Sequence, residues 1–403
     1  MVVATIVYKS LRQHLVSTLV SAFAIALAGG LLMAVWVVKQ EANQTFTGVT
    51  GGFDAVLGAR SSKLQLVLNA IFHLEDSPGN IAAADVDAIR NNPAVEVALP
   101  IAVGDNYKGY RLVGTTPELF TRIEFAPGSR YQVIAPGKPF AEGQHEAVVG
   151  SFAAAQLGLK IGDTFHPFHG LNYDEKQQHA DTYVVTGIFA PTNTPTDRVI
   201  WIPLSGIQQM SGHDARFSTE ASAVLVKLKA ESPMSGFQLD QLYNKRGNRL
   251  TFAWPIGAIL AKLFDKIAWF DRILALICYL VVVVATASIL ASIYNSMNER
   301  RREIAILRAL GAQRSTVFSA IVLESAAIGA LGMAIGFLVY AAIVVTASSI
   351  IRVQTGVVID PVKFNWVMVA APAGIIGLAA LLGIFPAVKA YRTDVASGLS
   401  PVS

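Results

Sequence analysis

Residues 17–38, STLVSAFAIALAGGLLMAVWVV, hold no charged side chain, and about 20 helical residues are enough to cross roughly 30 Å of hydrocarbon. A secretory leader shares the basic start, supplied here by Lys9 and Arg12, but its apolar core runs for only about 7 to 15 residues. This run continues through Leu31, Leu32 and Val35 to Val38 and reads as a retained anchor. Residues 273–294, 317–347 and 364–388 have the same character. Together they explain why 53% of the 403 residues are hydrophobic and only 15% charged, where a soluble domain carries about 25% charged residues. That balance excludes both a single soluble domain and a disordered chain. With one cysteine, Cys278, there is no internal disulfide framework and no cysteine-based zinc site.

Lysine and arginine accumulate in the short cytoplasmic loops of membrane proteins. Residues 1–16, 295–314 and 389–403 carry nine basic against three acidic residues, a net of +6, whereas residues 39–270 carry 20 basic against 22 acidic, a net of −2. Both termini are therefore expected in the cytoplasm and the large insert outside. Trp36, Trp269 and Trp366 fall at the outer span ends, where interfacial aromatics sit. Membrane lipid is the expected neighbour, and no nucleic acid is expected. The chain divides into a cytoplasmic amphipathic segment 1–16, a first span 17–38, an outer domain with stalk 39–270, and a second span 271–294. A cytoplasmic helix 295–314, a third span 315–347, an outer loop 348–363, a fourth span 364–388 and a cytoplasmic tail 389–403 complete it. The expected fold class is an α-helical membrane protein with four transmembrane helices and a large α+β domain between the first two.

The insert has the alternation of a globular α+β domain and is long enough to bury its own core. Residues 80–90 read as a helix N-capped by Asn80, followed by a strand over 95–101. Residues 111–114, 146–150, 183–189, 199–202 and 223–228 are further strand candidates, and 152–157 is a short helix stopped by Gly158. Over 252–272 an apolar stripe of Leu260, Leu263, Phe264, Ile267, Ala268 and Phe270 marks a helix that either runs straight into the second span or lies on the bilayer surface.

No phosphate-binding Gly-x-x-x-x-Gly-Lys-Ser/Thr loop, Gly-x-Ser-x-Gly elbow or His-Glu-x-x-His pair is present. No catalytic residue is nominated, and energy for active transport has to enter through a partner. Histidines cluster at His145, His166, His169 and His179, and imidazole suits a divalent metal such as zinc. The spacing fits no standard zinc motif, so His166, His169 and His179 are weak metal candidates against a solvated loop. Glu324 lies inside the third span, where a carboxylate has to be neutral, paired or near water. A pairing with Lys9, Arg12 or Arg314 is expected. Gly329, Gly332 and Gly336 permit close helix approach, with Gly332 to Gly336 matching Gly-x-x-x-Gly, and Gly374 and Gly377 do likewise in the fourth span.

Residues 297–314, MNERRREIAILRALGAQR, read as one amphipathic helix with Ile304, Leu307 and Leu310 on one face and Gly311 as its stop. A basic helix on the membrane surface has the same composition. The stretch 302–312, REIAILRALGA, followed by a span with Leu323-Glu324-Ser325 and Gly332 to Gly336, resembles the signature of FtsX-like ABC permeases of the MacB and LolC/LolE type. Within the insert, 104–114, 157–163 and 184–188 are similar to parts of the MacB-like periplasmic domain. The resemblance implies a bacterial inner-membrane permease whose coupling helix seats in an ATPase through Glu299, Arg301, Glu303, Ile304, Leu307, Arg308, Leu310 and Gly311. It implies a dimer of separate MacB/LolD-like ABC ATPase subunits that bind ATP and Mg, since the first span already opens at Ser17, and no cofactor bound by this chain. A second permease copy is implied, a homodimer in preference to a heterodimer, with a periplasmic adaptor, lipoprotein or substrate-binding protein as a further partner. ATP-driven movement would pass to the outer domain by mechanotransmission, for export or extraction of a substrate. The alternatives are an FtsX-like signalling subunit that moves no substrate and a metal-linked, zinc transport system.

Overall fold

The structure is a computed structural model describing residues 2–48, 50–230, 234–299, 306, 311–358, 360 and 363–392. Two units emerge: Met1–Glu41 with Ile267–Ser348 and Asp360–Ser403, and Ala42–Lys266 with Ser349–Ile359.

In the second unit, β-branched and apolar residues at period two build a sheet, because successive side chains of a strand point to opposite faces. Its strands are β1 (Ala55–Ala59), β2 (Val95–Tyr107), β3 (Tyr110–Thr115), the separate β4–β5 pair (Glu124–Ala126 and Ser129–Arg130), β6 (Glu146–Val149), β7 (Thr164–Phe165) and β8 (Phe168–His169). β9 (Tyr183–Ile188), β10 (Ile200–Pro203), β11 (Ala223–Leu228) and β12 (Leu250–Ala253) follow. Ten of them form one mixed sheet in the order β12-β1-β11-β2-β3-β10-β6-β9-β7, with β8 paired to β2. Among the described residues, only β3–β10 and β6–β9 run parallel. Alternation sends Val97, Leu99 and Ile101 of β2 into one core, together with Val56, Ala223 and Leu225. Ala98 points the other way and joins Leu57, Val224 and Val226. The sheet is thus covered on both faces in its central strands.

Two expectations for this unit need correction. The helix expected from Asn80 begins at Ala83, with no side-chain cap from Ala82. Ile81 is pinned in a β-bridge to Ala221, which holds residues 80–81 extended, and Asn80 Oδ1 instead accepts from Ser222 Oγ at 3.4 Å. The strand expected to end at Ile101 runs on to Tyr107, because Lys108 and Gly109 take φ of +48° and +84° and turn the chain back into β3. The short helix Ser151–Leu157 stops at Gly158, whose φ is +68°.

Residues 348–363, expected as a loop, are helical through Thr355. The part assigned to the sheet unit is held there by Arg198 Nε donating to the Val353 carbonyl at 2.9 Å. Asn193 adds a two-sided clasp: its amide donates to Val358 O at 3.3 Å and its oxygen accepts from Val358 N–H at 2.6 Å.

The other unit is helical: α1 (Val2–Gln13), α2 (Leu15–Gly48), α3 (Ile256–Glu299), α4 (Arg314–Thr355) and α5 (Val367–Arg392), of which α2, α3 and α4 extend into the sheet unit. Among the described residues, Leu15–Gly48, Arg314–Thr355 and Val367–Val388 are long and apolar enough to cross a membrane. A fourth span results if Ile256–Lys266 and Ala268–Val284, bent by 42°, count as one. Close approach is visible between α2 and α4: a Cβ on Gly332 would lie 2.6 Å from Ile25 Cβ, and one on Gly30 would lie 2.7 Å from Gly336 O. Gly329 meets Ala379 of α5 at 3.0 Å. Gly374 and Gly377 differ, since a Cβ there would meet nothing within 4 Å.

Candidate metal centre

Asp105 lies on β2 where the register against β3 shifts between Val103 and Asn106. Such an irregularity re-aims a side chain, and here it coincides with the pairing of Asp105 opposite His169 of β8. Asn106 secures the loop after β8 by donating its amide to Gly170 O at 2.8 Å and Asn172 O at 3.2 Å. His179 is fixed by its N–H on Pro167 O at 2.9 Å. From the far side comes the turn at 210–213, where His213 N–H bonds Met210 O at 3.1 Å and Ser211 N–H bonds Asp181 Oδ2 at 2.9 Å.

These three segments bring four side chains onto one point. Asp105 Oδ1 is 3.1 Å from His179 Nε2, 3.2 Å from His213 Nε2 and 3.3 Å from His169 Nδ1. His169 Nδ1 is 3.2 Å from His213 Nε2, and the four ligand atoms all lie within 4.8 Å of one another. Side-chain exposure grades outward from 0% at Asp105 through 6% at His179 and 17% at His213 to 54% at His169. His169 and His213 line an open cavity of about 340 Å³, whose wall also carries Asp214 and Glu220.

The tautomers follow from the outer partners. His179 Nδ1 is 2.6 Å from Ser211 O and His213 Nδ1 is 2.8 Å from Ile207 O. A carbonyl only accepts, so both Nδ1 atoms carry the hydrogen. In the neutral rings both Nε2 lone pairs then face a carboxylate oxygen, which is repulsive unless a proton or a cation intervenes. Asp105 Oδ2 is buried and without a hydrogen-bond partner. The hydrogen bond to Asp105, followed by its charge, raises both His179 and His213 above the ordinary imidazole range. Burial pushes Asp105 upward, but the bonds and charges of these two histidines outweigh it and hold the carboxyl below its usual value. The arrangement can therefore bind positive charge.

Of the sequence-nominated histidines, His169 and His179 belong to this cluster. His166 does not: its Nδ1 faces Asp181 O at 3.1 Å and Thr182 Oγ1 at 3.4 Å. Asp105 and His213 were not nominated, because they stand on distant segments before and after His179 and no local spacing links them. Of the nominated coupling residues, Arg301, Glu303, Ile304, Leu307, Arg308 and Leu310 lie outside the described residues. Glu299 is the last residue of α3, and Gly311 turns the chain with a φ of +98°. Glu324 accepts a hydrogen bond from the buried Ser10 hydroxyl, a partner not foreseen beside the basic ones.

One chain thus carries a mixed α/β domain together with helices long and apolar enough to cross a membrane. The family model for the MacB-like periplasmic core domain matches residues 16–238, and that for the FtsX-like permease C-terminal matches residues 275–395. The chain belongs to this MacB/FtsX-type ABC permease family. Among solved structures it is similar to the periplasmic region of MacB from Actinobacillus actinomycetemcomitans, with 10% identity, a TM-score of 0.36, and coverage of 54% of this chain and 94% of that one. It is also similar to the extracellular domain of the noncanonic ABC-type transporter YknZ from Gram-positive bacteria, with 15% identity, a TM-score of 0.32, and coverage of 49% and 99%. No curated protein matches it.

Proposed function

We propose that the chain is the permease subunit of an ABC system that couples ATP hydrolysis in a separate ATPase to movement of its own outer domain. The observation that carries this is the presence of both family segments, 16–238 and 275–395, in one chain. Residues 297–314 have the sequence pattern of the charged, one-sided helix that an ATPase surface requires, and α3 leads from residue 256 to residue 299, just inside that stretch. ATP and Mg would be bound by the partner, and the helices would transmit force to the outer domain. The apolar spans offer few charges to line a hydrophilic conduit, which favours mechanical transmission over passage of cargo along the helices. A two-fold pair of such permeases, identical in the simplest case, would match an ATPase dimer. The bacterial inner membrane with the sheet domain in the periplasm is the setting that fits the charge bias.

Co-expression with an ABC ATPase encoded alongside tests this reading. Arg308→Glu reverses a charge on the coupling segment and is expected to abolish co-purification and to reduce permease-stimulated ATPase activity by about tenfold or more, equivalent to about 1.4 kcal/mol. Undiminished co-purification and stimulation would overturn the assignment.

A further inference from the structure

We propose that Asp105 Oδ1, His169 Nδ1, His179 Nε2 and His213 Nε2 bind one divalent zinc-class cation in a tetrahedral site at the wall of the 340 Å³ cavity. With zinc–ligand bonds of about 2.0–2.1 Å, the edges of a ligand tetrahedron are about 3.3–3.4 Å. Four of the six edges, 3.1, 3.2, 3.3 and 3.2 Å, lie near that spacing, and all six are within 4.8 Å. Three imidazoles and one carboxylate suit zinc and its late first-row neighbours, whereas calcium and magnesium demand oxygen ligands.

The surroundings are those of a built site. Ser211 O and Ile207 O each hold the distal Nδ1–H of a ligand histidine, the outer-shell bond that orients a metal-ligating imidazole and fixes its tautomer. The same bonds point the lone pairs of His179 and His213 at a buried carboxylate, and a cation between them converts that repulsion into four coordinate bonds. The unpartnered Asp105 Oδ2 stands ready as a second carboxylate contact.

Four protein ligands leave no coordination position for an activated water, which makes this a binding site rather than a hydrolytic one. Three ligands are largely or wholly buried, and the fourth, His169, is more than half exposed at the cavity. The cation therefore enters and leaves past His169, and the site is exchangeable from the side on which the sheet domain lies. This inference does not depend on the ATPase assignment and survives its failure.

The test uses tag-free full-length protein in lipid nanodiscs, stripped with chelator and titrated with zinc chloride against a chromophoric competitor. Wild type is expected to bind one equivalent of zinc, and cobalt(II) in its place is expected to give the intense visible bands of tetrahedral coordination. His179→Ala and His213→Ala should each weaken zinc binding by about tenfold or more, and His166→Ala should leave it unchanged. Because buried histidines also support the fold, half-exposed His169→Ala serves as the fold-neutral variant: an unchanged melting temperature with about tenfold weaker zinc supports the site. Equal zinc affinity in wild type and the His169/His179/His213 triple alanine variant overturns it. So does equal loss in His166→Ala, or a weak octahedral cobalt spectrum, which would leave the cluster as a protonated hydrogen-bond network.

Discussion

Asp105 and Asp197 are both buried carboxylates of the sheet unit, 0% and 4% exposed, yet they are satisfied in opposite ways. Asp197 is saturated by its own loop: Thr192 N–H reaches both oxygens at 3.0 Å, Thr192 Oγ1 donates at 2.9 Å and Asn193 N–H at 2.9 Å. Burial still raises its carboxyl above the ordinary range. Asp105 has three imidazoles crowded on one oxygen and nothing on the other. An acid held by its own loop neighbours shapes that loop. An acid met by side chains from distant segments, with a lone pair left over, is a place for a cation.

The strongest break of this comparison is Asp197→Ala. It orphans the buried N–H and hydroxyl of Thr192 and the N–H of Asn193 and should cost about 3 kcal/mol, read as a fall in the denaturation midpoint, with zinc affinity unchanged. A variant that weakens zinc as much as it destabilises would erase the distinction between the two acids. Asp105→Asn is the reciprocal: it keeps the side-chain size and an acceptor oxygen but removes the negative charge that faces the three imidazoles. Zinc at a hundredfold excess over its Kd should stabilise wild type by about 2.7 kcal/mol, and this increment should vanish in the variant. A zinc-dependent shift of equal size in Asp105→Asn would locate the metal elsewhere.

His73 sharpens the contrast as a buried histidine whose acting neighbours are the cations Arg111 and Arg198. Burial, with the nearby charges of Arg111 and Arg198, lowers its pKa from 6.5 to about 3. The unfolded chain takes up a proton below pH 6.5 that the folded chain refuses, so stability falls as pH drops from 6.5 toward 3. The expected slope from this residue is up to about 1.4 kcal/mol per pH unit. His73→Asn, which tolerates the φ of +55°, should flatten the acid limb of a melting-temperature profile; an unchanged limb would refute the assignment. The smallest effect is reserved for Asn193→Gly, which accommodates the φ of +56° and keeps Asp197 in place but removes the side-chain clasp on Val358. About 1 kcal/mol of local stability should be lost, seen as faster hydrogen exchange at 349–358 with the global midpoint unmoved.

The strands expected at 111–114, 146–150, 183–189, 199–202 and 223–228 coincide closely with β3, β6, β9, β10 and β11, since period-two patterning is written into each segment. β1 and β12 escaped notice: Ala55–Ala59 and Leu250–Ala253 are short, and they are strands chiefly because β12 pairs with β1 and β1 in turn with β11. Residues 348–363 misled for a related reason, because the helix of the preceding span persists while its end is clasped by Asn193 and Arg198.

Apolar run length, loop charge and the coupling-segment pattern are sums over neighbours in sequence, and they sufficed to mark the chain as a member of a membrane permease family. The meeting of Asp105 with His169, His179 and His213 is a property of sheet register and of one turn folding back over β2. Only the packed chain brings together groups so distant along the backbone, and only there does a buried carboxylate lose the water that would otherwise have satisfied it.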